Sequence, residues 1–178
     1  MSIQEQLIKE LGQLTVLDNQ QNSITLASLW KNQKTVLIFV RHFGWLICRR
    51  QVADIQENFD SFNNINVRVV VIGNGQPNFI DGFRNDTGYK GDLFTDPSLK
   101  TYELLNFKKS VGSLLGLKTF KSALDALKSG YLQKGIQGNA FQQGGVVVIH
   151  PVDKPVYFYI SEKAGDHAPL DEIINACK

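Results

Sequence analysis

Cysteine is scarce: only Cys48 and Cys177 occur among 178 residues, which excludes the disulfide framework of a small secreted protein and makes a cytoplasmic setting with reduced thiols the expected one. Charge of one sign is also missing. The 19 basic and 17 acidic side chains leave a formal net charge of +2, with no surplus to neutralise the phosphates that nucleic-acid binding requires. The longest strongly apolar run, Thr35-Val-Leu-Ile-Phe-Val40, falls far short of the roughly 20 residues that cross a bilayer, so no membrane partner is expected. Met1 to Glu10 mixes acids and amides where a signal peptide needs a basic segment followed by an apolar one. The three histidines and two cysteines lack a close ligand spacing such as Cys-x-x-Cys, and neither a metal nor another cofactor is expected. Gly-x-Ser-x-Gly is absent, and Gly73-Asn-Gly75 is half a dinucleotide fingerprint that reads better as a turn.

What is present suits an ordinary folded protein. Hydrophobic residues make up 43% and charged residues 20% of the chain, and the length suits one domain, residues 1–178, with a sizeable core. Ile3, Leu7, Ile8 and Leu11 recur at helical spacing and predict an opening amphipathic helix. Thr35–Arg41 predicts a central strand buried on both faces, and Leu46, Ile47, Val52, Ile55 and Phe59 predict a helix over Trp45–Phe59. A second buried strand is expected over Ile65–Ile72, then a helix from Pro77 to Arg84, a short edge strand at Asp92–Asp96 and a short helix over Ser98–Leu105. Thr119–Lys128 reads as an amphipathic helix followed by a long irregular loop. Gly145–Ile149 and Pro155–Ile160 predict an antiparallel hairpin, and Leu170–Cys177 a closing helix. The order β-α-β-α-insertion-β-β-α, behind an N-terminal extension, implies an α/β fold in three layers, with a mixed central sheet between helices in the thioredoxin-like manner.

Chemistry concentrates in Arg41-His-Phe-Gly-Trp-Leu-Ile-Cys-Arg-Arg50. The segment leaves the C-terminal end of the first central strand, where α/β sheets place their ligand sites. In the first turn of the next helix, Cys48 would meet free N–H groups and the positive end of the helix dipole, with Arg41, Arg49 and Arg50 nearby. Both influences lower a thiol pKa, and the thiolate is the attacking form. The same cysteine also reads as a small buried hydrophobe, and each arginine as a solvated surface charge. His42 either assists the thiol or serves structure alone, and Phe43, Gly44 and Trp45 complete the predicted pocket. Asp166 is expected to cap a helix or pin a loop beside His167.

The stretch Arg41-His-Phe-Gly-Trp45-Leu-Ile-Cys48-Arg49 resembles the signature of the peroxiredoxin-like branch of the alkyl hydroperoxide reductase and thiol-specific antioxidant (AhpC/TSA) family, usually Arg-x-Phe-Gly-Cys-x-x-Cys-Arg. Phe94-Thr-Asp96-Pro97, Gly144-Gly145 and Gly165-Asp-His167 extend the resemblance over most of the chain from Ser23 to Cys177. It implies a thiol oxidoreductase that reduces hydrogen peroxide or an organic hydroperoxide through Cys48. An external thiol of thioredoxin or glutathione type is the implied reductant, and pairing into a homodimer is common in the family.

Two departures matter. Trp45 stands where the first motif cysteine belongs, so a Cys-x-x-Cys disulfide is excluded, and Arg41 and Trp45 hold the proline and threonine positions of the peroxidatic signature Pro-x-x-x-Thr-x-x-Cys. Gln142 and Gln143 stand where typical peroxiredoxins carry an arginine before the strand at Gly145. The implied chemistry is therefore that of one cysteine, with Cys48 oxidised to a sulfenic acid. Arg41 first and Arg49 second would favour the thiolate and the charge developing on the leaving oxygen. Cys177 is either a resolving thiol or an incidental residue at a frayed helix end. Trp45 also motivates an alternative, a thioredoxin-fold binding or scaffold protein without redox activity.

Overall fold

A computed structural model of the protein describes residues 1–107, 109, 138–163 and 165–178. The helix expected at Thr119–Lys128 lies outside the described residues. Among the described residues the strands are β1 (Thr15–Leu17), β2 (Ser23–Thr25), β3 (Thr35–Phe39), β4 (Arg68–Gly73), β5 (Asp92–Thr95), β6 (Gly145–His150) and β7 (Lys154–Ile160). The helices are α1 (Ile3–Gln13), α2 (Ala27–Trp30), α3 (Leu46–Glu57), α4 (Phe59–Asn63), α5 (Ile80–Thr87), α6 (Lys100–Leu104) and α7 (Leu170–Ala176).

The strands form one mixed sheet in the order β2-β1-β5-β4-β3-β6-β7. β3, β4 and β5 run parallel, while β6 returns antiparallel beside β3 and pairs antiparallel with β7. All five residues of β3 are buried because both of its faces are covered. Val36, Ile38 and Val40 point to one layer, where they pack with Val52 and Ile55 of α3, Phe83 of α5 and Ile173 of α7. Leu37 and Phe39 alternate to the other layer, against Ile8 and Leu11 of α1, Trp30 of α2 and Tyr102 of α6. Each fully buried aliphatic side chain of this kind contributes roughly 1.5–3 kcal/mol. The architecture is the expected three-layer thioredoxin-like α/β fold.

Local differences from the expected elements have local causes. The hairpin β1–β2 was not predicted, because three-residue strands are too short to display an alternating pattern. It displaces β5 from the edge: Leu17 pairs with Thr95, so β5 lies inside the sheet. β4 starts at Arg68 instead of Ile65, since the chain first turns through Asn66 at φ 53°. The helix expected to run to Phe59 breaks at Asn58, whose side chain donates to the Asp54 carbonyl at 2.8 Å. The helix after Pro77 opens with a 3-10 turn over Pro77–Phe79, runs past Arg84 to Thr87 and stops at Gly88, held at φ 67°.

Candidate active site

The site is built where the parallel strands end. Val40 still donates to the Ile72 carbonyl at 2.9 Å, and the chain then turns out of the sheet. Asn74, buried just after β4, fixes that turn: its Nδ2 donates to the Arg41 carbonyl at 2.5 Å, and its Oδ1 accepts the Asn139 N–H at 2.8 Å. Phe43 drops into the core, with its ring 4.9 Å from that of Phe83. A Cβ at position 73 would collide with the Phe43 ring, so this close approach requires Gly73. Trp45 then occupies the N-cap position of α3 without a capping side-chain bond, and Cys48 falls in the first turn. On the opposite side, Gly144 passes so close to the Phe39 carbonyl that a side chain there has no space.

The Cys48 sulfur accepts the Arg41 backbone N–H at 3.4 Å. It is only 2% exposed, and burial pushes its thiol pKa up against the lowering pull of the Arg41 and His42 N–H groups and the Arg41 guanidinium. The lowering expected from the helix start and the arginines is outweighed by desolvation, as the alternative reading of a buried cysteine has it. Arg41 donates Nε to the Ala140 carbonyl at 2.8 Å, and its guanidinium carbon lies 4.2 Å from the centre of the Trp45 ring. Trp45 thus acts as a platform for Arg41, and its ring also meets that of His42 edge-on at 5.8 Å.

The other arginines are engaged elsewhere. Arg49, next to Cys48 on the helix, points about 100° away from it, where it pairs with Asp86 at 3.1 Å and donates to the Phe43 carbonyl at 3.0 Å. It is buried instead of solvated, and it braces the turn from beneath. Arg50 pairs with Asp54 at 2.7 Å, with both partners well exposed. His42 is 1% exposed; burial first, then the charges of Arg41 and Arg49, bring its pKa down to about 4.

A narrow cleft reaches the sulfur, offering about 20 Å³ to water-sized occupants, room for about one. Arg41, Trp45, Cys48, Gln51, Gln143 and His167 are among its walls. His42 and Phe43 turn away into packed surroundings. Gln51, Gln143 and His167 carry no catalytic pattern in the sequence, and Gly165-Asp-His167 is the one signal there that points toward this wall. Asp166 does pin its loop, accepting from the Tyr159 hydroxyl at 2.5 Å and the Glu162 N–H at 2.7 Å. That loop carries His167 to the cleft. The His167 Nε2 is buried without a hydrogen-bond partner among the described residues, and burial holds the imidazole pKa down to about 4.

Cys177 is buried too, not frayed, and burial raises its thiol pKa to about 11. Its carbonyl accepts Lys34 Nζ at 2.5 Å. Lys34 precedes β3 and Cys48 follows it, so the two cysteines belong to opposite ends of a strand whose run from Thr35 to Val40 spans about 17 Å. A disulfide between them would need their Cα atoms within about 7 Å. Among the described residues no cluster of three or more potential ligands is placed to hold a metal, and no helix is long and apolar enough to cross a membrane.

This geometry is a thiol at a strand-to-helix junction of a thioredoxin-like sheet, and the comparisons with known proteins agree with that fold. The family model described as AhpC/TSA antioxidant enzyme matches residues 54–163, more than half of the chain. The chain belongs to this family. The matched span begins beyond Cys48, so the local geometry carries the case for the cysteine itself. Similar proteins include the thioredoxin-like protein AAED1, chloroplastic, of Arabidopsis thaliana, 33% identical over 94% of this chain and 71% of its own length. Human peroxiredoxin-like 2C is 28% identical over 94% of this chain and 79% of its own. Prostamide/prostaglandin F synthase of Xenopus laevis is 32% identical over 85% and 77%. Among solved structures, peroxidoxin BcpB of Mycobacterium tuberculosis superposes with a TM-score of 0.68 at 13% identity, covering 92% of this chain and 90% of that one. The bacterioferritin comigratory protein of Xanthomonas campestris gives 0.66 at 12%, covering 95% and 92%. At that identity the likeness concerns the fold, which is that of a peroxiredoxin.

Proposed function

We propose that this AhpC/TSA-family protein is a one-cysteine thiol peroxidase with Cys48 as its nucleophile. The observation that carries the reading is the position of the Cys48 sulfur: at the start of α3, against the Arg41 N–H at 3.4 Å, at the floor of a cleft that Arg41 also lines. In the reaction the sulfur forms a bond to one peroxide oxygen, the O–O bond breaks, and the thiol's proton ends on the departing oxygen. The products are a Cys48 sulfenic acid and water or an alcohol. Arg41 supplies the charge that favours the anionic sulfur and then the leaving oxygen. An external thiol, of thioredoxin or glutathione type, regenerates Cys48, since Cys177 belongs to the far end of β3. A cellular compartment that keeps thiols reduced fits this cycle.

The test is to trap the sulfenic acid with a dimedone-type reagent after peroxide treatment and locate the adduct by mass spectrometry. The adduct is expected on Cys48 and absent from Cys48→Ser; labelling at Cys177 alone would refute the assignment.

One observation favours a second reading, a thioredoxin-fold binding protein without redox chemistry: the sulfur is buried and burial raises its pKa. Alkylation of Cys48 as a function of pH separates the two. A thiol that alkylates only under denaturing conditions supports the binding protein, and one that alkylates in the native state supports the enzyme.

A further inference from the structure

Attack by a buried thiol needs a proton carrier. Burial raises the Cys48 pKa, so the resting sulfur holds its proton, whereas the thiolate is the attacking form. Some group in the cleft must take that proton and deliver it to the departing oxygen. Arg41 and Lys163 line the cleft as cations without a lone pair, and Gln51 and Gln143 do not titrate. Asp166 is committed to its loop, one carboxylate oxygen accepting from the Tyr159 hydroxyl and the other from the Glu162 N–H. His42 is not among the walls.

His167 is a wall residue with capacity to spare. The residue is half-buried, but its Nε2 is fully covered and has no hydrogen-bond partner among the described residues. Such an atom costs stability, and the fold holds it there by construction. After β7 the Ser161 N–H donates to the Gly144 carbonyl at 3.1 Å, and the loop pinned by Asp166 then returns across the cleft mouth. The cleft has room for about one water-sized group, so its occupant lies against walls that include both the Cys48 sulfur and the His167 ring.

Building on the thiol-peroxidase reading, we propose that His167 is a catalytic residue whose Nε2 takes the Cys48 proton as the sulfur attacks and returns it to the departing oxygen. With its own proton on Nδ1, the neutral imidazole offers a lone pair at Nε2. As the S–H proton passes to Nε2, the sulfur bonds to one peroxide oxygen and the O–O bond breaks. The departing oxygen takes the proton from Nε2, giving a Cys48 sulfenic acid, one water or alcohol, and the neutral imidazole again. Burial makes the resting ring a weak base, with a pKa of about 4. Negative charge growing on the sulfur in the same cleft raises its hold on the proton, and loss of that charge on S–O bond formation releases it. The charged groups lining the cleft and the adjoining groove between α3 and α7 are Asp166, Lys163, Arg41, Arg50 and Asp54. Asp166 draws the His167 pKa upward and burial outweighs it, while Arg50 and Asp54 pair with each other.

The test is the pH dependence of single-turnover oxidation of Cys48 by hydrogen peroxide in the full chain, from about pH 6 to 8.5. In wild type the rate is expected to stay level across this range, because His167 is neutral and Cys48 protonated throughout. In His167→Gln, which keeps a polar side chain but accepts no proton, the rate is expected to be about a hundredfold lower at pH 7 and to climb about tenfold per pH unit with the thiolate fraction. A purely structural role would lower the rate without changing its slope. Equal slopes in wild type and in His167→Gln or His167→Asn, whichever retains the native circular dichroism, overturn the role of His167 and leave the peroxidase reading standing. A wild-type rate that itself climbs about tenfold per unit overturns that role without recourse to a variant. Failure of hydrogen peroxide to oxidise wild-type Cys48 at any pH in the range overturns the reading and the role together.

Discussion

Lowering the pH from 7 to 5 is expected to remove about 2 kcal/mol of folding stability through His42 alone. The ring is 1% exposed, beside the turn that carries Cys48. Burial, reinforced by the charges of Arg41 and Arg49, holds its pKa down to about 4, whereas an unfolded histidine titrates near 6.5. Above about pH 6.5 neither state binds the proton, and His42 leaves stability unchanged. As the pH falls from there toward 4, the unfolded chain takes up a proton that the folded site refuses, so stability declines through that window. At about 1.36 kcal/mol per pH unit, the 1.5 units or so crossed by pH 5 give about 2 kcal/mol. Urea denaturation at the two pH values, in wild type and in His42→Phe, measures the effect. His167 titrates in the same direction and is present in both proteins, so the difference between them isolates His42. Equal losses in the two proteins would refute the account of a buried, neutral His42.

Arg41→Met and Arg49→Met are expected to separate the two arginines. The first moves the alkylation midpoint of Cys48 to higher pH, because the Arg41 guanidinium is among the groups lowering that pKa. The second leaves the midpoint in place and costs about 3 kcal/mol in thermal or chemical unfolding, because Asp86 loses a buried partner. Gly73→Ala forces the Phe43 ring aside and is expected to cost about 1–3 kcal/mol, read as a lowered melting temperature. Cys177→Ser places a hydroxyl in the core at a cost of about 2 kcal/mol, while peroxide-treated wild type shows no Cys48–Cys177 disulfide by non-reducing peptide mapping.

The parts of the fold that the sequence announced are those with a strong period and full burial. The β-branched runs that became β3, β4 and β6 are covered on two faces, so their composition alone identified them. β1 and β2 escaped because three residues carry no readable alternation, and with them the interior place of β5 went unseen. At the site, the segment from Arg41 to Cys48 was found through its glycine, arginines and cysteine, but the state of the sulfur was not. Proximity to arginines in sequence suggested a depressed pKa. Burial, which is a tertiary property, reverses the sign, and the helical turn carries Arg49 away to Asp86. His167 and Gln143 reach the cleft from segments more than ninety positions along the chain from Cys48. No local pattern encodes that meeting, since it depends on β6 lying antiparallel to β3 with Gly145 opposite Phe39.

Stopped-flow oxidation of the reduced protein by peroxide tests the central claim most directly. Wild type is predicted to react faster than free cysteine at the same pH, with the entire fast phase lost in Cys48→Ser and retained in Cys177→Ser. A wild-type rate no greater than that of free cysteine, or a fast phase that survives Cys48→Ser, would contradict the assignment of Cys48 as the peroxide-reactive nucleophile.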